Sequence, residues 1–270
     1  MNPSVHPHHR RHLRPAVRRV LTVTVVACIA VGGASFVLHS RSAVPAASAT
    51  STSSASAASE AESSLLTARQ AQAILDDPRM VLVNHTNKMP DDHTFTTKAC
   101  GSATAVNKTL QTEAADAFLA MQAAAAKDGV TIWMQSGYRS VSYQTNLYEK
   151  KTNYYKQQGY DDAKAKEMAA AIVNPPGYSE HNCGLAADLN SPEHTGLDEG
   201  FENTAAFRWL CQHAGEYGFI LRYPKGAEEK TEITYEPWHW RYVGVENAAK
   251  INASGLCFED YIAALQQIAG

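Results

Sequence analysis

Cysteine pairs at metal-binding spacing are missing from this sequence. None of Cys28, Cys100, Cys183, Cys211 and Cys257 falls in a C-x-x-C, which argues against a cysteine metal site. Positive charge is scarce outside the first stretch. Six arginines stand at or before Arg41 with no acid among them, so 18 basic residues are left to face all 27 acids, a net of −9. That acidic body excludes nucleic-acid recognition, which needs basic patches. No internal repeat is visible. Large apolar side chains are almost absent between residues 39 and 64, where Ser, Ala and Thr dominate. Such a segment cannot bury a core and reads as a flexible tether.

One long uncharged run is present, Val20 to Leu38. Its 19 residues, at about 1.5 Å each, just span about 30 Å of hydrocarbon. The preceding arginines fit the positive-inside rule. This reading divides the chain into a basic cytoplasmic tail (1–19), a transmembrane signal anchor (20–38), a Ser/Ala/Thr-rich linker (39–65) and an extracytoplasmic domain (66–270) held at the cytoplasmic membrane. The alternative is a signal peptide cut near Ala47-Ser48-Ala49 and a secreted product. Four cysteines lie in the exported part, and an even number there suggests two disulfides. The expected pairs are Cys183 with Cys211, where a helix is expected to pack beneath the loop carrying Cys183, and Cys100 with Cys257.

Within the exported part, Thr67 can cap a short helix, and Met80–Val83 reads as a strand. A helix over Lys108–Asp128 is followed by a strand over Val130–Gln135 and the turn Ser136-Gly137. Two helices are expected over Ser142–Gln158 and Tyr160–Val173, ended by Pro175-Pro176-Gly177. Leu185–Asn190 alternates as a strand, with Asp188 facing opposite to Leu185 and Leu189. A helix capped by Asn203 runs to Tyr217. Phe219–Tyr223 and Thr231–Tyr235 read as a hairpin pair, and helices over Val245–Asn252 and Phe258–Ile268 close the chain.

Two stretches carry chemistry. Ser179-Glu180-His181-Asn182-Cys183-Gly184-Leu185-Ala186-Ala187-Asp188 offers an imidazole and a carboxylate. Glu236-Pro237-Trp238-His239 offers a second imidazole and a further acid. His181, Asp188 and His239 make three N/O ligands with one position open, the pattern of a catalytic zinc rather than a closed structural one. Residues three apart on a regular strand point to opposite faces, so the break at Pro237 is needed for Glu236 and His239 to reach one site. Trp238, Trp240 and Tyr242 alternate with His239 and Arg241, which puts the aromatics on the core and His239 in the cleft. His85, His93, His194 and His213 read as surface or polar-network histidines, and His6, His8, His9 and His12 as an inert tail.

The pattern S-x-H-x-x-G-x-A-x-D followed by E-x-W-H resembles the VanY-type zinc D-alanyl-D-alanine carboxypeptidases and their dipeptidase relatives. Ser136-Gly137-Tyr138-Arg139-Ser140 with Gln144 adds a third matching block, and the likeness runs from about Leu82 to the end. The resemblance implies an α+β fold shared with the hedgehog signalling domain, a central, mainly antiparallel sheet flanked by helices. It implies Zn2+ at His181, Asp188 and His239, Glu236 as the base, and Arg139 facing the substrate, either at the oxyanion or at the terminal carboxylate. Gln144 and Ser179 follow as substrate-binding candidates. The expected substrates are peptidoglycan stem peptides ending in D-Ala-D-Ala. An L,D-carboxypeptidase, a D,D-dipeptidase or a non-catalytic peptidoglycan-binding module are the alternatives.

Overall fold

Side-chain alternation along Ala186–Asn190 organises the described residues. In the computed structural model, which describes residues 66–101 and 107–270, this segment is an inner strand of a four-stranded sheet. The strands are, in chain order, β1 (Thr97–Ala99), β2 (Thr109–Gln111), β3 (Trp133–Ser136), β4 (Ala186–Asn190), β5 (Phe219–Leu221) and β6 (His239–Tyr242). The first two form a separate antiparallel pair. The main sheet has the order β3-β4-β6-β5, with every neighbouring pair antiparallel. The α+β class with a central antiparallel sheet is therefore the observed one. The basic tail, the anchor, the linker and the cleavage site expected for residues 1–65 lie outside the described residues. Among the described residues no helix is long and apolar enough to cross a membrane.

The helices are α1 (Ala68–Leu75), α2 (Thr112–Lys127), α3 (Val141–Gln157), α4 (Asp162–Ala170), α5 (Ala205–His213), α6 (Glu228–Thr231), α7 (Val245–Ser254) and α8 (Phe258–Ala269). Side-chain caps explain several starts. Thr67 makes a capping box with Gln70, Ser140 Oγ accepts from Tyr143 N, and Asp161 Oδ1 accepts from Lys164 N. Thr204, rather than the expected Asn203, caps α5 through Phe207 N.

Two apolar clusters use the two periodicities. Ala187 and Leu189 of β4, with Met134, Trp240 and Tyr242 from neighbouring strands, join Phe118 and Met121 of α2 and Leu210 of α5 in the main core. Full burial of a side chain such as Phe118 contributes about 1.5–3 kcal/mol. The second cluster joins Ile220 and Val243 to α1, α7 and α8 through Ile74, Ile251, Phe258 and Ile262.

Four further expectations need correction. The helix expected from Lys108 begins only at Thr112, because Thr109–Gln111 pairs with Thr97–Ala99 instead. Met80–Val83 is not a strand: Pro78–Met80 is a 3-10 turn, and the Arg79 and Val81 carbonyls accept from Arg241 Nη2 at 2.7 and 2.9 Å. Thr231–Tyr235 is not the partner of β5, which pairs with β6. The chain turns through α6, Glu232 takes φ +58°, and Thr234 N bonds Ala171 O instead. The expected Cys183–Cys211 and Cys100–Cys257 disulfides are absent, because all four are free thiols. Cys183 is buried in the main core, with its S–H donating to Glu180 O at 2.9 Å, whereas Cys211 is exposed on α5. Burial pushes the Cys183 and Cys100 thiols up to about 11, so both stay protonated and unreactive near neutrality.

Candidate active site

Strand register assembles the site. Ser136 pairs with Asp188, and Asp188 pairs with His239, so one row across β3, β4 and β6 carries the second and third candidate ligands. The face follows from the period of two: Trp240 and Tyr242 enter the core while His239 and Arg241 point the other way. His181 comes from the 3-10 turn Glu180–Cys183 just before β4. Gly184 ends that turn at φ +69°, and a Cβ there would stand 2.8 Å from the Phe95 ring, so glycine is required twice over. The ladder is interrupted before His239, whose N–H bonds Glu236 O at 3.1 Å. That turn brings Glu236 Oε2 to 3.4 Å from His239 Nδ1.

The geometry of the three candidate ligands is close. Asp188 Oδ1 lies 3.3 Å from His181 Nε2 and 3.3 Å from His239 Nδ1. One ligand atom from each residue fits within 4.8 Å of the others. Ligands held about 2.0–2.2 Å from a tetrahedral zinc stand about 3.3–3.6 Å apart, so both measured edges fit. Asp188 divides its oxygens: Oδ2 pairs with Arg139 Nη2, while Oδ1 is buried with no hydrogen-bond partner. A buried carboxylate oxygen left between two imidazole nitrogens suits a cation.

The two imidazoles are held differently. His181 Nδ1 donates to Gly137 O at 2.7 Å, since a carbonyl can only accept, and this leaves the Nε2 lone pair free. Burial, aided by the Arg139 charge, lowers the His181 pKa to about 4, so the ring is neutral. At His239 burial also opposes charge, yet Asp188, Glu180 and Glu236 outweigh it and raise its pKa well above the ordinary value. Three acids around one ring attract positive charge, which a divalent ion carries. Burial raises the Glu236 carboxyl against the pull of His239, the direction that suits a base working near neutrality.

A cleft of about 230 Å³ opens here, lined among others by Arg139, Gln144, Ser179, Asp188, Glu236 and His239. The structure thus brings together all seven residues singled out in the sequence, His181 included. Arg139 is braced by Ser136 Oγ at 2.9 Å. Gln144 Nε2 donates to Asn174 O at 2.7 Å, and its Oε1 has no partner.

Two residues beside the candidate ligands escaped the sequence reading. Glu180, a spacer within the motif, is fully buried and accepts from Arg222 Nε and Arg241 Nη1, both at 2.7 Å. Burial opposes its charge, but the two arginines hold its pKa well below the usual carboxylate range. Its Oε2 lies 3.5 Å from His239 Nε2, so a carboxylate backs the nitrogen opposite the ligand face. The available signal was an arginine inside each of two apolar stretches, Leu221-Arg222-Tyr223 and Trp240-Arg241-Tyr242, since buried charge demands a partner. Tyr223 also packs against His239, its ring tilted by 57° with centroids 4.8 Å apart, and its buried hydroxyl is unpaired.

The chain is similar to several known carboxypeptidases. The family model VanY, described as D-alanyl-D-alanine carboxypeptidase, matches residues 107–245. A D-alanyl-D-alanine carboxypeptidase of Enterococcus faecalis is 32% identical over 264 residues, covering 94% of each chain. The crystal structure of a variant of the vancomycin-resistance D,D-pentapeptidase VanY, in complex with Zn(II), superposes with TM-score 0.60 at 34% identity, covering 68% of this chain and 99% of that one. The LD-carboxypeptidase LdcB, whose structure is described as revealing peptidoglycan recognition, gives TM-score 0.59 at 34% identity over 70% of this chain and 88% of that one.

Proposed function

The chain belongs to the VanY family of D-alanyl-D-alanine carboxypeptidases, and from that premise we propose that it removes the terminal D-Ala of peptidoglycan stem peptides through a zinc site at His181, Asp188 and His239. The carrying observation is Asp188 Oδ1, buried, unpaired and 3.3 Å from an imidazole nitrogen on either side. Zinc held there would supply Lewis acidity and would lower the pKa of a water toward about 7.

The remaining steps belong to this chain's side chains. Glu236 takes a proton from the attacking water and delivers it to the amine of the departing D-Ala. Its buried position keeps the carboxyl basic enough for that exchange. Arg139 keeps one edge of its guanidinium on Asp188 and Ser136. Its remaining donors serve the oxygen that gains charge when the scissile carbonyl becomes tetrahedral. Attachment to a ligand carboxylate supports that role over a clamp on the terminal carboxylate. Gln144 Oε1, unpaired at the cleft wall, accepts a substrate N–H, and Ser179 lines the same wall. Glu180 fixes the His239 ring from behind. The domain works outside the cytoplasmic membrane, held there by the apolar run Val20–Leu38.

Mass spectrometry of stem peptides incubated with the zinc-loaded protein tests this function. A pentapeptide ending in D-Ala-D-Ala should become a tetrapeptide with free D-Ala released, and the tetrapeptide should persist. Conversion of tetrapeptide to tripeptide with no action on the pentapeptide would make the protein an L,D-carboxypeptidase instead.

A further inference from the structure

The catalytic cleft does not end at its own rim. Leu147 of α3 and Val173 line it, and the same two residues line a neighbouring groove of about 320 Å³ that continues to Lys150, Lys151 and Tyr154. Tyr154 and Lys150 in turn border a polar depression with Asn146, Glu149, Asn153 and Gln157. Gln144, Leu147, Lys151 and Tyr154 follow one another at steps of three or four residues, so a single face of α3 carries the path from the cleft outward. Tyr154 is 52% exposed. Its ring is steadied edge-on by Tyr155 at 5.3 Å, with Lys151 Nζ 5.6 Å from its centroid.

Distance and chemistry select the occupant. Leu147 and Tyr154 are two helical turns apart, about 10.5 Å along the axis. An extended peptide covers up to about 3.3–3.6 Å per residue, so three residues bridge that interval. A pentapeptide with its terminal bond at the metal has three residues before the reacting pair, and then the sugar that bears it. The lysines along the way suit the free carboxylates of a stem peptide. At the far end an exposed aromatic ring stands among three carboxamides and the Glu149 and Lys150 side chains, which suits a sugar: its C–H face stacks on the ring, and its hydroxyl and N-acetyl groups bond to the amides and to the Glu149 carboxylate.

We propose that the outer face of α3, centred on Tyr154 with Asn153 and Gln157, is a glycan subsite that holds the amino-sugar end of a glycan-linked stem peptide while its D-Ala-D-Ala end lies in the cleft. The assignment rests on the carboxypeptidase reading for its alignment but not for its binding chemistry. Two measurements on the full-length protein in detergent test it separately. The first compares kcat/KM for a free pentapeptide with that for the same pentapeptide on an N-acetylglucosamine–N-acetylmuramic acid disaccharide. The wild type should favour the disaccharide form by about three- to tenfold, the contribution of one stacked ring. Tyr154→Ala should erase that preference, leaving turnover of the free peptide and zinc content unchanged. Equal use of both substrates by the wild type, or equal loss on both in Tyr154→Ala, overturns the proposal. The second measurement is calorimetric or NMR titration with the peptide-free disaccharide. It should bind, and Tyr154→Ala should weaken it by a similar factor. A protein that hydrolyses neither peptide but still binds the disaccharide through Tyr154 refutes the proposed reaction and keeps the subsite, whereas no disaccharide binding refutes the subsite.

Discussion

Changing Glu180→Gln preserves the shape of a fully buried side chain and removes its charge. In the native protein Glu180 faces Arg222 and Arg241 at 2.7 Å each, and neither arginine side chain is exposed. Arg222 keeps a second carboxylate, Glu259, at 2.5 and 2.8 Å. Arg241 keeps only carbonyls, those of Arg79, Val81 and Tyr242. One buried guanidinium is thus left without a counter-charge, a loss worth about 3–5 kcal/mol. The lower end applies, because the new amide oxygen still accepts a hydrogen bond. Against a total stability of about 5–15 kcal/mol this is a large fraction. Urea unfolding at pH 7 reads it as a lower midpoint at unchanged slope. The sign with pH also follows. Glu180 has a depressed folded pKa, so its contribution is fully present above its unfolded value of about 4.3 and is lost as pH falls through the folded value. The gap between wild type and variant should therefore be constant from pH 8 to pH 5 and narrow only in acid. Loss of the carboxylate behind His239 should also weaken zinc binding by about 10–100-fold. A variant within about 0.5 kcal/mol of wild type at pH 7, with native zinc affinity, would refute the reasoning.

Gly137→Ala should disturb the centre without touching a ligand: its Cβ would stand 2.3 Å from Thr109 O, forcing the loop and the Gly137 carbonyl off His181 Nδ1. The expected cost is about 1–3 kcal/mol in urea unfolding, accompanied by weaker zinc retention in a chelator competition; unchanged values for both would contradict it. For the apolar run at Val20–Leu38, fractionation should leave the full-length protein in the membrane pellet with its N-terminus intact. A soluble product beginning near Ser48 or Thr50 would instead mean that the leader is cleaved.

The elements nearest the chemistry were the most legible. Alternation in Ala186–Asn190 and in His239–Tyr242 told core from cleft directly, and Pro237 marked where Glu236 leaves the ladder. The cap at Thr67 was read correctly and the one at Thr204 to within a residue, whereas the helix expected from Lys108 starts at Thr112. What local pattern could not supply was pairing across long separations. Glu180 meets Arg222 and Arg241 at separations of 42 and 61 residues, and β5 passes over the segment expected to pair with it to reach β6. Cysteine count and the expected export pointed to disulfides, but pairing depends on where each thiol lies. Cys183 sits in the main core and Cys211 outside it, a difference that spacing along the chain does not encode.

The central claim is that His181, Asp188 and His239 bind zinc while Glu236 moves protons, and one paired measurement separates those roles: zinc stoichiometry beside D-Ala release for Glu236→Gln and His239→Ala. Glu236→Gln leaves the three proposed ligands in place, so zinc should stay while release falls by about 10²–10⁴-fold or more. His239→Ala should lose zinc and release together. If Glu236→Gln loses zinc as fully as His239→Ala does, Glu236 is itself a ligand and the mechanism is wrong.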